Sequence, residues 1–137
     1  MKHHIGLGMA MLVGIGVGAA AVQSLHAQAK PPVYFIAEID VTNAEGYAKE
    51  YAPQALAMIK AAGGRVLAIG ATEGAAGPAA AKVTTIGGEP PKRVALQVWD
   101  SLEKIQAWQA NPEYVALLNV GKKYAKFRSF AVEGLPQ

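Results

Sequence analysis

The segment Val33-Tyr34-Phe35-Ile36-Ala37-Glu38-Ile39-Asp40-Val41, followed at once by Thr42-Asn43-Ala44-Glu45, decides how this chain folds. Its first nine residues are mostly β-branched or aromatic, the signature of a strand. Side chains alternate across a strand, so Val33, Phe35, Ala37, Ile39 and Val41 share one face, and all five are apolar. Tyr34, Ile36, Glu38 and Asp40 share the other face, which mixes polar and apolar groups. The wholly apolar face is expected to meet helices. The four residues after the strand form a capping box: the Thr42 hydroxyl accepts from a first-turn N–H while Glu45 reaches back. A strand that runs directly into a capped helix opens a β-α-β unit.

Downstream, Tyr47, Tyr51, Ala55, Met58 and Ala62 recur at helical spacing. Pro53 lies inside that pattern. Proline removes a hydrogen bond and clashes with the preceding turn, at about 3 kcal/mol in a helix interior, so a kink or break is expected near Tyr51–Ala52. Gly63-Gly64 ends the helix. Arg65–Ala71 reads as the second strand and Lys92–Trp99 as the third. Between them, residues 72–91 are rich in Gly, Ala and Pro and read as a flexible insertion, with Lys82–Ile86 able to make a short edge strand. Asp100-Ser101-Leu102-Glu103 caps a short helix reaching about Gln109. Asn111-Pro112 starts another, with asparagine as the cap and proline in the first turn. Tyr114, Leu117, Leu118, Gly121 and Tyr124 form its apolar stripe, and Lys126–Val132 is the fourth strand.

The order β-α-β-β-α-β is the split β-α-β, or ferredoxin-like, unit. The expected fold is therefore α+β, with a four-stranded antiparallel sheet and both helical segments on one face. The other face, carrying Glu38, is left bare. A second copy of the chain burying that face predicts a homodimer.

Upstream, Lys2, His3 and His4 precede an uncharged run of 18 residues, Ile5 to Val22, and Ala27-Gln28-Ala29 offers a signal-peptidase site. Residues 1–29 read as a signal peptide and 30–137 as the exported domain, periplasmic or secreted. The competing reading is an uncleaved membrane anchor, since the run has borderline spanning length. Five glycines within it make it a poor helix former.

Export has a chemical consequence. The three histidines are His3, His4 and His26, all before the cleavage site, and the chain has no cysteine. The mature domain has neither imidazole nor thiol. Ser-His-Asp and Cys-His mechanisms then lack their base, and transition-metal sites lack their usual ligands. Glu38 and Asp40 do not make a calcium loop. No metal and no cofactor is expected. Loss of Lys2 leaves twelve Lys and Arg against ten Asp and Glu, a nearly neutral and interspersed balance that gives no reason to expect nucleic acid. After cleavage, no membrane partner is expected. Lys122, Lys123, Lys126 and Arg128 form the densest basic cluster, read as a solvated helix end.

The run Tyr34 to Thr42, with Tyr47, Tyr51, Gly63-Gly64-Arg65, Asp100-Ser101-Leu102-Glu103, Trp108 and Asn111-Pro112-Glu113-Tyr114, resembles the family catalogued as domain of unknown function 1330, over roughly residues 32 to 135. The resemblance implies a dimeric α+β barrel in which two ferredoxin-like sheets pack face to face. That superfamily includes cofactor-independent monooxygenases and isomerases as well as haem enzymes, and fold alone does not choose among them. The connection from Gly74 to Pro91 is longer than the family's usual one.

Five residues stand out as site candidates. Glu38, facing the barrel interior, could act as an acid or base if unpaired. The plainer reading is a salt bridge to Arg65 or Arg93. Arg65 could clamp an anion, and Gln97 and Tyr34 could line the same space. Trp108 could form a pocket rim. For each of these four, packing or a structural pair is the competing reading. The leading functional expectation is a small-molecule ligand held in a pocket of the dimer barrel. The alternatives are a cofactor-independent isomerase or monooxygenase-like enzyme using Glu38, and a purely structural or assembly role.

Overall fold

A computed structural model of the protein describes residues 30–72 and 80–137. The signal-peptide reading of residues 1–29, and positions 73–79 of the insertion, lie outside the described residues. Strand β1 (Val33–Val41) leads into a single helical turn, α1 (Ala44–Gly46), then a π turn (Tyr47–Tyr51) and helix α2 (Ala52–Ala62). Strands β2 (Arg65–Ala71), β3 (Ala81–Lys82) and β4 (Arg93–Trp99) follow, then helices α3 (Leu102–Ala110) and α4 (Pro112–Gly121) and strand β5 (Ala125–Glu133).

The strands form one sheet in the order β3-β2-β4-β1-β5. β4 lies between β1 and β2 and is antiparallel to both, and β5 is antiparallel to β1. The sheet therefore has five strands rather than the expected four. The fifth, β3, pairs parallel with the end of β2 through Gly70↔Ala81 and Ala71↔Lys82. Among the described residues of the insertion, Ala81 and Lys82 join the sheet rather than the stretch Lys82–Ile86; Thr84 onward leads into the Gly87-Gly88 bend, where Gly88 has φ +70°.

Local chemistry accounts for the element ends, with one correction. The helix after β1 is capped by Asn43, whose side chain accepts from the Gly46 N–H at 2.9 Å. Thr42 does not act as the expected cap, because its hydroxyl donates instead to the Tyr124 carbonyl at 3.0 Å, tying the start of the helix to the start of β5. Glu45 pairs with Lys49 at 2.8 Å rather than reaching back. The break expected at Pro53 takes the form of the π turn, after which Pro53 falls in the first turn of α2, where its missing N–H costs nothing. α2 ends at Gly63, which takes the left-handed φ of +101°. Ser101 caps α3 by accepting from Lys104 N–H at 3.2 Å, and Asn111 caps α4 by accepting from Glu113 N–H at 2.9 Å.

The helices cover one sheet face. Val33, Phe35, Ala37 and Ile39 are buried there against Tyr47, Tyr51, Ala55, Ile59, Ile105, Trp108 and Tyr114. Trp108 is the hub of an aromatic cluster: its ring centroid lies 5.3 Å from Phe35 edge-on, 5.1 Å from Trp99 in a stack and 4.5 Å from Tyr114.

Candidate functional site

Strand β4 positions the site. Its register places Arg93, Ala95, Gln97 and Trp99 opposite Ile39, Ala37, Phe35 and Val33, on the face the helices cover. Hydropathy alone assigns β4 the other way round, since Val94, Leu96 and Val98 are its more apolar set. Across from β4, the π turn presents Tyr47 and Tyr51, α2 presents Ala52 and Ala55, and α3 and α4 present Trp108 and Tyr114. A π turn inside an α-helix shifts the following side chains around the axis and often marks a functional position. Alanines at 37, 52, 55 and 95 are too short to fill the space between the layers. They leave a cavity of about 100 Å³, mostly apolar and roofed by aromatic rings.

The polar groups that reach this cavity are few. Arg93 is 5% exposed and is the one charged residue among those described lining it. Its guanidinium carbon lies 5.4 Å from the centroid of the Tyr47 ring. Among the described residues its Nε and Nη1 have no hydrogen-bond partner, and it takes part in none of the ion pairs there. The Trp108 Nε1–H is likewise buried without a partner. Gln97 is satisfied in part, its Oε1 accepting from Trp99 Nε1 at 2.9 Å. The Tyr51 and Tyr114 hydroxyls lie 3.5 Å apart.

Burial raises the pKa of Tyr47, against an opposing pull from the Arg93 charge. Burial also raises Tyr51 strongly, helped by Tyr114, and raises Tyr114 against weaker opposing hydrogen bonds from Tyr51 and Gln109. At neutral pH the three phenols are therefore protonated, and Arg93 supplies a permanent positive charge.

The five sequence candidates divide between the two faces of the sheet. Gln97 and Trp108 line the cavity. Tyr34, Glu38 and Arg65 lie on the opposite face, where Tyr34 and Arg65 flank Val98 from either side. Gln97 thus does not share a space with Arg65 and Glu38, because it is out of phase with them in the pleat. Glu38 is ion-paired, but to neither expected arginine: Arg128 of β5, directly opposite in register, places Nη1 3.3 Å from its Oε2. Arg93 cannot reach it because it is paired with Ile39 and points to the helix side. Glu38 lines a shallow surface cleft with Asp40, Lys92, Lys126 and Arg128. There the Lys92 ammonium is 2.7 Å from Asp40 Oδ1, close enough to pair charges though not aligned as a hydrogen bond.

From the sequence, Arg93 is expected only as a partner for Glu38 and Tyr47 and Tyr51 only as helix packing, while Tyr114, in the Asn111-Pro112-Glu113-Tyr114 segment, is a helix-corner anchor with a pocket rim as the alternative. The pattern Arg-x-Ala-x-Gln-x-Trp on one face of β4 was the available signal, a row of polar groups around a small residue that leads to a buried tryptophan.

The family model described as domain of unknown function (DUF1330) matches residues 32–135. The chain belongs to this family. No protein with a curated description matches the chain. Among solved structures, the DUF1330 chain is similar to a protein of unknown function from Rhodopseudomonas palustris, with TM-score 0.58 and 16% identity over 86% of this chain and 94% of that one. It is also similar to SnoaB, a cofactor-independent oxygenase from Streptomyces nogalater, with TM-score 0.53 and 10% identity over 78% and 96%. A third neighbour is a conserved protein of unknown function from Bacteroides thetaiotaomicron, described as a possible oxidoreductase, with TM-score 0.52 and 14% identity over 77% and 99%. At these identities the likeness establishes the α+β fold.

Proposed function

We propose that this DUF1330 protein binds a small planar molecule in the cavity between its sheet and its helices. The observation that carries the reading is the cavity itself: an apolar, aromatic-roofed space with a few convergent donors is the usual form of a small-molecule site. Its size sets the scale of the ligand. A dry cavity of about 150 Å³ holds benzene, so a space of about 100 Å³ suits a single ring, with modest adjustment of Leu56 and Leu118 at its wall.

The protein acts as an exported homodimer in this reading. The uncovered sheet face carries half-buried Ile36, Val94 and Leu96 at its centre and Phe130 and Val132 at its margin, 41% and 50% exposed. A second ferredoxin-like sheet packed against it would complete a dimeric α+β barrel and remove this apolar area from water. The ligand cavity lies on the other side of the sheet, so each protomer has its own. Export rests on the basic start, apolar run and Ala27-Gln28-Ala29 of the first 29 residues.

Cofactor-independent oxygenase or isomerase chemistry is the second reading, favoured by three protonated phenols and a guanidinium around one apolar space. Such chemistry in this cavity would run on Arg93 and the tyrosines, since Glu38 is on the other face. The two readings differ in the fate of the ligand, recovered unchanged from a binder and consumed by an enzyme.

Filling the cavity tests the location. Benzyl alcohol should raise the thermal midpoint of the wild-type domain, residues 30–137, and should not raise that of Ala95→Leu, whose added side chain occupies the space. Equal stabilisation of both proteins places the binding elsewhere.

A further inference from the structure

Arg93 poses a physical problem that the apolar cavity does not solve. An arginine in a protein stays ionised, and a buried charge is costly unless it is paired and hydrogen-bonded. Arg93 is buried on β4 with Nε and Nη1 unpartnered among the described residues, and its compensation there comes from Tyr47, through the ring and through the phenol oxygen whose pKa the guanidinium pulls down. One neutral phenol recovers less than the burial of a full charge costs. The Trp108 Nε1–H, lining the same cavity from α3, is a second buried donor without an acceptor among the described residues. The Tyr47, Tyr51 and Tyr114 phenols add protons rather than charge. Every unsatisfied group described at the cavity is a donor, and among the described residues no carboxylate lines it.

Resting on the cavity reading above, we propose that the ligand is a monoanion of single-ring size, an aromatic carboxylate, whose carboxylate is held by the Arg93 guanidinium and the Trp108 indole N–H. The guanidinium fork matches a carboxylate with two parallel hydrogen bonds. The ring then lies among Phe35, Tyr51, Tyr114 and the alanines, where apolar contact replaces water. One anion satisfies the orphaned donors and neutralises the buried charge together. Selectivity follows from the same donors: a neutral ligand of equal shape leaves Arg93 uncompensated.

Benzoate and benzamide, alike in shape and different in charge, test this by calorimetric titration of the wild-type domain at pH 7. Benzoate should bind at least ten-fold more tightly. Arg93→Gln should abolish that preference while leaving benzyl alcohol binding in place, and Arg93→Lys, which keeps the charge, should restore part of it. Equal affinity for the two probes overturns the anion proposal and leaves the cavity reading standing. Failure of benzyl alcohol and both probes to bind wild type overturns both. Glu73, outside the described residues, follows β2 in sequence; a benzoate preference that appears only in Glu73→Gln shows Arg93 already neutralised and also overturns the proposal.

Discussion

Arg93 and Glu38 are the two charged residues on which the functional reading turns, and the pleat separates them. Glu38 is visible in the sequence because β1 alternates cleanly and sets this carboxylate next to Ile36 and Tyr34 on the mixed face, with Asp40 at the strand's end. Arg93 is not visible in that way, because hydropathy favours Val94, Leu96 and Val98 as the core face of β4. The choice between those faces depends on which side the helices take, and that is settled by β1, three strands earlier in the chain. The buried tyrosines give a test at this scale. Tyr47, Tyr51 and Tyr114 all have raised pKa values with burial as the first cause. For an acid whose folded pKa lies above its unfolded value near 10, stability is fully present below pH 10 and is lost as pH rises above it, because the unfolded chain releases its protons first. Each group contributes about 1.4 kcal/mol per pH unit to that loss. Urea midpoints should hold steady up to about pH 9.5 and fall steeply beyond. The phenolate absorbance of these three residues should appear at higher pH in the folded protein than in the urea-unfolded chain.

Most of the secondary structure could be read from the sequence, because its signals are local. Pro53, Gly63-Gly64, Ser101 and Asn111-Pro112 all act where the pattern placed them. The cap at the first helix is different. Thr42 and Asn43 can both cap, and Thr42 is diverted by a carbonyl 82 residues away, at Tyr124. The same long-range tie recurs at Glu50, which accepts from the Tyr124 hydroxyl. The π turn also lies beyond local reading. It lets a tyrosine-bearing helical segment carry Tyr47 and Tyr51 into the cavity and still deliver Pro53 to a tolerant first-turn position. At the end of α2, Gly63 holds φ +101°, where its N–H donates to the Lys60 carbonyl. A side chain there costs about 1–2 kcal/mol through contact of its Cβ with the backbone. Gly63→Ala should lower stability by about that amount in chemical denaturation, without changing the affinity of the cavity for a ring.

The sheet carries two features back to back: a cavity under the helices, proposed above to hold a ligand, and on the other side an uncovered face of mixed apolar and charged residues. The split β-α-β order makes this arrangement necessary, since both helical segments cross the same face. The bare face was legible as an expectation from topology alone. The cavity was not, because it arises from four alanines on three separate elements that only the fold brings together. If the bare face is the dimer interface, sedimentation equilibrium should give a dimer for residues 30–137. Phe130→Glu combined with Val132→Glu should give a folded monomer by burying like charges against their symmetry mates. Because the cavity lies wholly within one protomer, that monomer should still bind benzyl alcohol. A monomeric wild-type domain contradicts the dimer.

The proposed ligand site lies between sheet and helices, at Arg93, rather than on the face that carries Glu38. A crystal structure of residues 30–137 grown with benzoate distinguishes the two faces. The ring should lie among Phe35, Tyr51 and Tyr114, with its carboxylate against the Arg93 guanidinium and the Trp108 Nε1–H. Benzoate bound instead on the opposite face, beside Tyr34, Glu38 and Arg65, with the cavity empty, would overturn that placement.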